Sequence, residues 1–89
     1  MNTLEKVKSD LQEIRNLNKR NIYNTKSKEY NKLFKKLPIL ESKVMIDCYI
    51  NGTSQKNCGL KMSYCERQIR RIVQKSISLI VKMLDKREL

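Results

Sequence analysis

Histidine and tryptophan are absent from this chain, and among its 89 residues glycine occurs twice and proline once. Without histidine, the commonest general base near neutral pH and the commonest metal ligand are both missing. The three cysteines, Cys48, Cys58 and Cys65, are separated by ten and seven residues, which is not the paired spacing of a zinc site. They read as reduced thiols, and no metal is expected. Two isolated glycines, Gly52 and Gly59, cannot build a phosphate-cradling loop of the GxxxxGKS/T or GxGxxG kind. No cofactor and no enzymatic activity are therefore expected. No run of eighteen apolar residues occurs, and the stretch from Met1 to Lys8 is mixed polar rather than a charged lead before an apolar segment. The expected location is the cytoplasm, with no membrane partner.

Negative charge is also scarce. Nine acidic residues face twenty basic ones, leaving a formal net charge of +11. That excess is more than solubility needs and is typical of proteins whose partner is a polyanion, nucleic acid first and an acidic membrane surface second. A chain of this length forms one domain, near the size at which an apolar core only just offsets the lost chain entropy. Self-association would help it, and a homodimer is the expected assembly.

Apolar periodicity then predicts an all-α domain of four to five helices without a β-wing, organised as N-terminal helices over 1–37 and a helix-turn-helix region over 38–85. Leu4, Val7, Leu11 and Ile14 recur at three-and-four spacing behind a capping Thr3, so a first helix should run from about Thr3 to Arg20. The same rhythm puts Asn18 on the seam, where a polar residue sets pairing between helices. That face suits packing on the chain's own core better than pairing with a second copy. The polar stretch Asn21 to Ser27 reads as a linker. A second helix with Tyr30, Leu33, Phe34 and Leu37 on one face must stop or bend at Pro38, which suits the first turn of the next helix. A third, about Ile39 to Ile50, carries Leu40, Val44 and Cys48 in a row and ends at Asn51-Gly52. Thr53 and Ser54 follow as N-cap candidates.

From Gln55 the apolar positions are Cys58, Leu60, Met62, Tyr64, Ile69, Ile72 and Val73, with Ser63-Tyr64-Cys65 breaking the period. This is helix-turn-helix spacing. Two helices that cross steeply need a very small residue on the first and a branched apolar one on the second, roles filled by Gly59 and Ile69. Cys58, Met62, Tyr64 and Ile72 are expected to complete the small core around that crossing. The last helix begins at Glu66 and turns Ile69, Ile72, Val73, Ser76, Ile77, Ile80 and Leu84 inward as one stripe. Three of the chain's six arginines, Arg67, Arg70 and Arg71, fall within five residues at its start, where a recognition helix meets bases. The guanidinium fork grips guanine or phosphate in two places, whereas lysine supplies an unoriented charge. Residues 51–84 hold seven basic residues and one acidic residue, so this is not a face of mixed charge.

The segments Ser54-Gln55-Lys56-Asn57-Cys58-Gly59 and Met62-Ser63-Tyr64-Cys65-Glu66-Arg67-Gln68-Ile69-Arg70-Arg71-Ile72 resemble region four of sigma factors. Residues 38–84 look closest to the sigma-like phage regulators of the ArpU and RinA kind. Asn57, Cys58 and Cys65 stand where that family has an acid, an isoleucine and a capping serine. The resemblance implies sequence-specific binding to promoter DNA in a bacterial or phage-infected host, with Arg67, Arg70, Arg71 and Gln74 as contacts to groove and phosphate. No promoter-melting region fits in the remainder of the chain.

The expected partner is double-stranded DNA, with RNA polymerase a further candidate, and the expected role is a transcriptional regulator. Ser54, Gln55 and Lys56 would hold phosphates at a helix N-terminus, while Glu66, Arg67, Arg70, Arg71 and Gln74 would face the major groove, with Lys75 a further DNA-binding residue. Glu66 is suited to accept from a cytosine amine. The rival reading is a small inhibitor or adaptor that turns the same basic fold toward an acidic protein. A membrane-surface helix, basic on one side and apolar on the other, ranks third.

Overall fold

Pro38 and two residues with left-handed backbone, Gly52 (φ 74°) and Ser63 (φ 61°), punctuate the chain. In the computed structural model, which describes residues 2–19 and 25–87, five α-helices and one π-helical segment lie between these marks. No strand occurs among the described residues.

Helix α1 spans Thr3–Lys19. Its cap is Asn2, whose Oδ1 accepts from the Glu5 N–H at 2.8 Å. The expected cap, Thr3, instead donates from its hydroxyl to Asp85 Oδ1 at 2.8 Å, tying the first turn to the last helix. Val7, Leu11 and Ile14 are fully buried, but Leu4 is 40% exposed because the stripe overruns the core at its N-terminal end. The expected terminus Arg20 and the side chain of Asn18 lie outside the described residues.

Helix α2, Thr25–Lys35, starts inside the expected linker. Thr25, Lys26 and Ser27 are helical because tertiary partners override their turn preference. Ser27 is completely buried, and Lys26 Nζ reaches Asp10 at 3.1 Å and Glu13 at 2.6 Å. Asn21 to Asn24 lie outside the described residues. Tyr30, Leu33 and Phe34 face the core, and Leu37 follows them after the helix has ended. Pro38 is the N-cap of α3 (φ −52°, ψ 154°), one residue ahead of the expected first-turn position.

Helix α3, Ile39–Met45, continues into a π-helical segment, Ile46–Ile50, which periodicity alone did not predict. The Asn51 N–H bonds Ile46 O across five residues. Thr53 N–H reaches Asp47 O at 3.0 Å, one residue wider than the usual left-handed helix stop. The wider turn leaves Cys48 and Met45 in the core and Tyr49 half-buried, stacking obliquely on Phe34 at 6.5 Å between ring centroids. Helix α4, Gln55–Met62, and the long α5, Glu66–Arg87, follow.

One cluster holds the fold together. Val7, Leu11 and Ile14 meet Phe34, Val44, Met45, Cys48, Cys58, Ile69 and Ile80, so every helix contributes. Helix α1 packs on α5 and the π-segment, α3 on α5, and α2 on α1, α3 and the π-segment. Val7, Leu11 and Ile14 of the α1 stripe are therefore consumed by the chain's own core, and Leu4 is not. Leu79, Val81 and Met83 of α5 are half-buried against the same cluster. No helix among the described residues is long and apolar enough to cross a membrane.

Candidate nucleic-acid interface

The short helix α4 is fixed at both ends by local chemistry. Ser54, with extended backbone, is its N-cap and accepts the Asn57 N–H on Oγ at 3.1 Å. At the other end Ser63 takes the left-handed conformation, and Tyr64 N–H returns to Gly59 O at 2.8 Å. A left-handed residue other than glycine costs about 1 kcal/mol. The result is a turn tight enough to start α5 soon after α4 ends.

That turn explains Gly59. A Cβ at this position would lie 2.6 Å from Tyr64 O and 3.4 Å from Ile69 Cγ1. Both Gly59 and Ile69 are buried, so the expected close approach of a small residue to a branched one is present. Cys58 is completely buried beside it, with its Sγ 3.8 Å from the half-buried Met62 Sδ. Ile72 is half-buried on the flank of α5. Tyr64 departs from expectation. Its backbone carbonyl, not its ring, sits over Gly59, and the left-handed Ser63 before it directs the side chain outward to 36% exposure. Leu60 is likewise on the outside, 71% exposed.

Helix α5 opens with half of a capping box. Cys65 cannot accept as serine would, but its backbone N–H donates to Gln68 Oε1 at 3.0 Å. From there Ile69, Val73, Ser76, Ile77 and Ile80 face the core, and Ser76 satisfies its hydroxyl on Ile72 O at 2.7 Å. At 3.6 residues per turn, Arg67, Arg71, Gln74 and Ser78 form a row on the other side, and all four are exposed. Arg67 and Arg71 share no ion pair among the described residues.

The remaining predicted residues fall elsewhere. Glu66 stands seven residues before Val73, on the side of the helix that turns inward further along, and pairs with Arg70 (Oε1 to Nη2, 3.8 Å). Lys75 turns toward α3, 3.5 Å from the nearly buried Glu41 carboxylate. Lys56 is exposed at the first turn of α4, and Ser54 and Gln55 beside it are half-buried.

A cluster under α4 was not foreseen. Asp47, in the π-segment, accepts from Thr53 Oγ1 at 3.0 Å and stands 3.6 Å from Lys61 Nζ. Burial alone would push its carboxyl up, but hydrogen bonds from Thr53, Cys58 and Asn51, with Lys61 nearby, hold it below the usual carboxylate value. Burial, the neighbouring Cys48 and the same carboxylate push the Cys58 thiol up to about 12. The signal in the sequence was a lone acid inside the apolar run from Ile46 to Ile50. Asp47 thus ties the loop and α4 to the π-segment beneath them.

No protein-family model, curated protein or solved structure matches this chain.

Proposed function

We propose that this chain is a DNA-binding transcriptional regulator that presents α4 and α5 as a helix-turn-helix, with the start of α5 in the major groove. The observation that carries the reading is the close approach at Gly59, where a glycine, a left-handed turn and Ile69 lock two helices together. With the inner side of α5 so committed, Arg67, Arg71 and Gln74 are presented outward. Two guanidinium groups one helical turn apart, neither in an ion pair among the described residues, supply bidentate donors to guanine or phosphate. Lys56 and the amide-rich start of α4 add backbone attraction beside them.

Fluorescence anisotropy with random duplexes, and with the DNA upstream of the chain's own gene, tests this reading. Arg67→Ala/Arg71→Ala should lose site preference where an arginine reads a base and reduce the slope of log affinity against log salt by about 0.9 for each arginine that instead neutralises a phosphate. Unchanged binding in a folded double variant would refute the assignment of α5.

A second reading has its own observation. Leu60 and Ile39 are 71% and 76% exposed, and Leu60 lines an open depression with Asn51, Thr53, Ser54, Asn57 and Lys61. An exposed leucine framed by basic and amide side chains suits an acidic protein surface. Leu60→Ser separates the two readings: it weakens a protein partner and spares duplex binding.

A further inference from the structure

Helix α2 carries a second positive surface. Lys28, Lys32 and Lys35 stand at i, i+4 and i+7 and form one exposed row along it. Ser27, Tyr30, Leu33 and Phe34, the buried side chains of the same helix, take the opposite side. Lys36, just beyond the helix, is exposed too. None of these four lysines has an ion pair among the described residues. The lysine of α2 that is neutralised, Lys26, is the one turned toward α1, on Asp10 and Glu13.

The row is about 10 Å long, a length of duplex axis that carries about three phosphates on each strand. Lys32 and Lys36 also join Lys6 of α1 on the rim of a groove of about 610 Å³, whose lining includes Glu29 and the Lys26–Asp10 pair as well. Leu84 at the far end of α5 lines that groove. Arg71 is thirteen residues earlier on the same helix, about 20 Å away along its axis. Helix α2 packs on α1, α3 and the π-segment, while α5 packs on α1, α3 and α4. Helices α1 and α3 therefore connect the two, and each row points away from the buried side of its own helix.

We infer that the α2 row is a separate surface for the phosphate backbone of a second DNA segment, so that one chain bridges two duplexes. The inference rests on the reading of α5 above for its first duplex. A row that points away from the buried side of α2 forms a patch of its own rather than part of the outer face of α5. Lysines, lacking a planar fork, supply attraction without base readout, so the second segment is held irrespective of sequence. Bridging by this route needs no dimer, in keeping with Val7, Leu11 and Ile14 of α1 being buried in the chain's own core.

The test is capture of a fluorescent duplex by a second duplex fixed to beads, with light scattering for mass and single-duplex anisotropy run in parallel. Wild type as a monomer should capture the free duplex. Lys28→Glu/Lys32→Glu/Lys35→Glu should capture at least about tenfold less, because that surface no longer attracts phosphate, while keeping its site preference for one duplex. The milder Lys→Gln triple variant should fall between the two. Capture by the Glu triple variant equal to wild type would overturn the inference and assign bridging to paired recognition helices. So would wild type that binds one duplex but captures no second, which leaves the row to an acidic protein. Failure of the α5 reading shows differently: binding to one duplex then survives Arg67→Ala/Arg71→Ala and disappears in the lysine variant.

Discussion

Replacing Gly59 by alanine separates two accounts of that residue by the sign of the effect. If Gly59 were only a weak place in a helix, alanine would stabilise the protein by about 1 kcal/mol through its higher helix propensity. The structure predicts the reverse. The new Cβ would lie 2.6 Å from Tyr64 O, an atom of the backbone, and 3.4 Å from Ile69 Cγ1. Tyr64 is held in place by its own N–H bond to Gly59 O at 2.8 Å, so the carbonyl cannot swing away without opening the turn. Forced overpacking of this kind costs about 1–3 kcal/mol, and a backbone obstacle belongs at the upper end. Set against the propensity gain of about 1 kcal/mol, the net loss is about 2 kcal/mol. For a domain of this size that lowers the melting temperature by about 8–16 °C. Thermal unfolding followed by circular dichroism measures it, with Lys56→Ala on the exposed first turn of α4 as the control that should barely move. A Gly59→Ala protein melting at or above the wild-type temperature would refute the close crossing of α4 and α5. Because the displaced turn also carries the start of α5, duplex affinity should fall at temperatures where the variant is still folded.

Thiol chemistry probes the same region. Cys65 is exposed at the start of α5, while Cys48 and Cys58 are buried and burial pushes both of their thiols up. One thiol should react rapidly with an aromatic disulfide reagent in the native protein and three after unfolding. Bound duplex should slow the reaction of Cys65; two fast thiols in the free protein would show that the α4 core is open. Asp47 sets an acid dependence. Its carboxyl is lowered in the folded state, so it contributes stability above its unfolded value near about 3.9, and that contribution is lost as the pH falls through its folded value. Urea midpoints should therefore drop less between about pH 7 and pH 3 in Asp47→Asn than in wild type, from a lower starting value; parallel losses would remove Asp47 from the linkage.

Much of the helix pattern was legible in the sequence because each boundary is marked by a residue whose backbone preference acts locally. Pro38 stops α2, Gly52 closes the π-segment with φ 74°, Ser54 caps α4, and Glu66 begins α5 where the apolar period resumes. The inward stripe of α5 and the Gly59–Ile69 approach were legible for a related reason. Their spacing follows from the 3.6-residue turn and from the volume that a missing side chain leaves. Boundaries decided by distant partners were not legible. Thr25 to Ser27 look like a turn in isolation and are helical because Lys26 meets Asp10 and Glu13 across from α1. Asn2 took the cap from Thr3, whose hydroxyl was drawn 82 residues along the chain to Asp85.

The candidate site divides along the same line. Composition and spacing by themselves determined that positive charge dominates and that arginine gathers at the start of the last helix. Only the tertiary structure decided which of those charges are free. Among the described residues Arg67 and Arg71 have no ion pair and Lys75 answers Glu41 from another helix, whereas the Arg70–Glu66 pair, at i and i+4 on α5, is a local one. It also turned the Tyr64 ring outward, because the left-handed Ser63 places a carbonyl where a side chain was expected. A residue's type and spacing are properties of its neighbours along the chain. Its ion-pair partner and its exposure depend on what the folded chain brings beside it from tens of residues away.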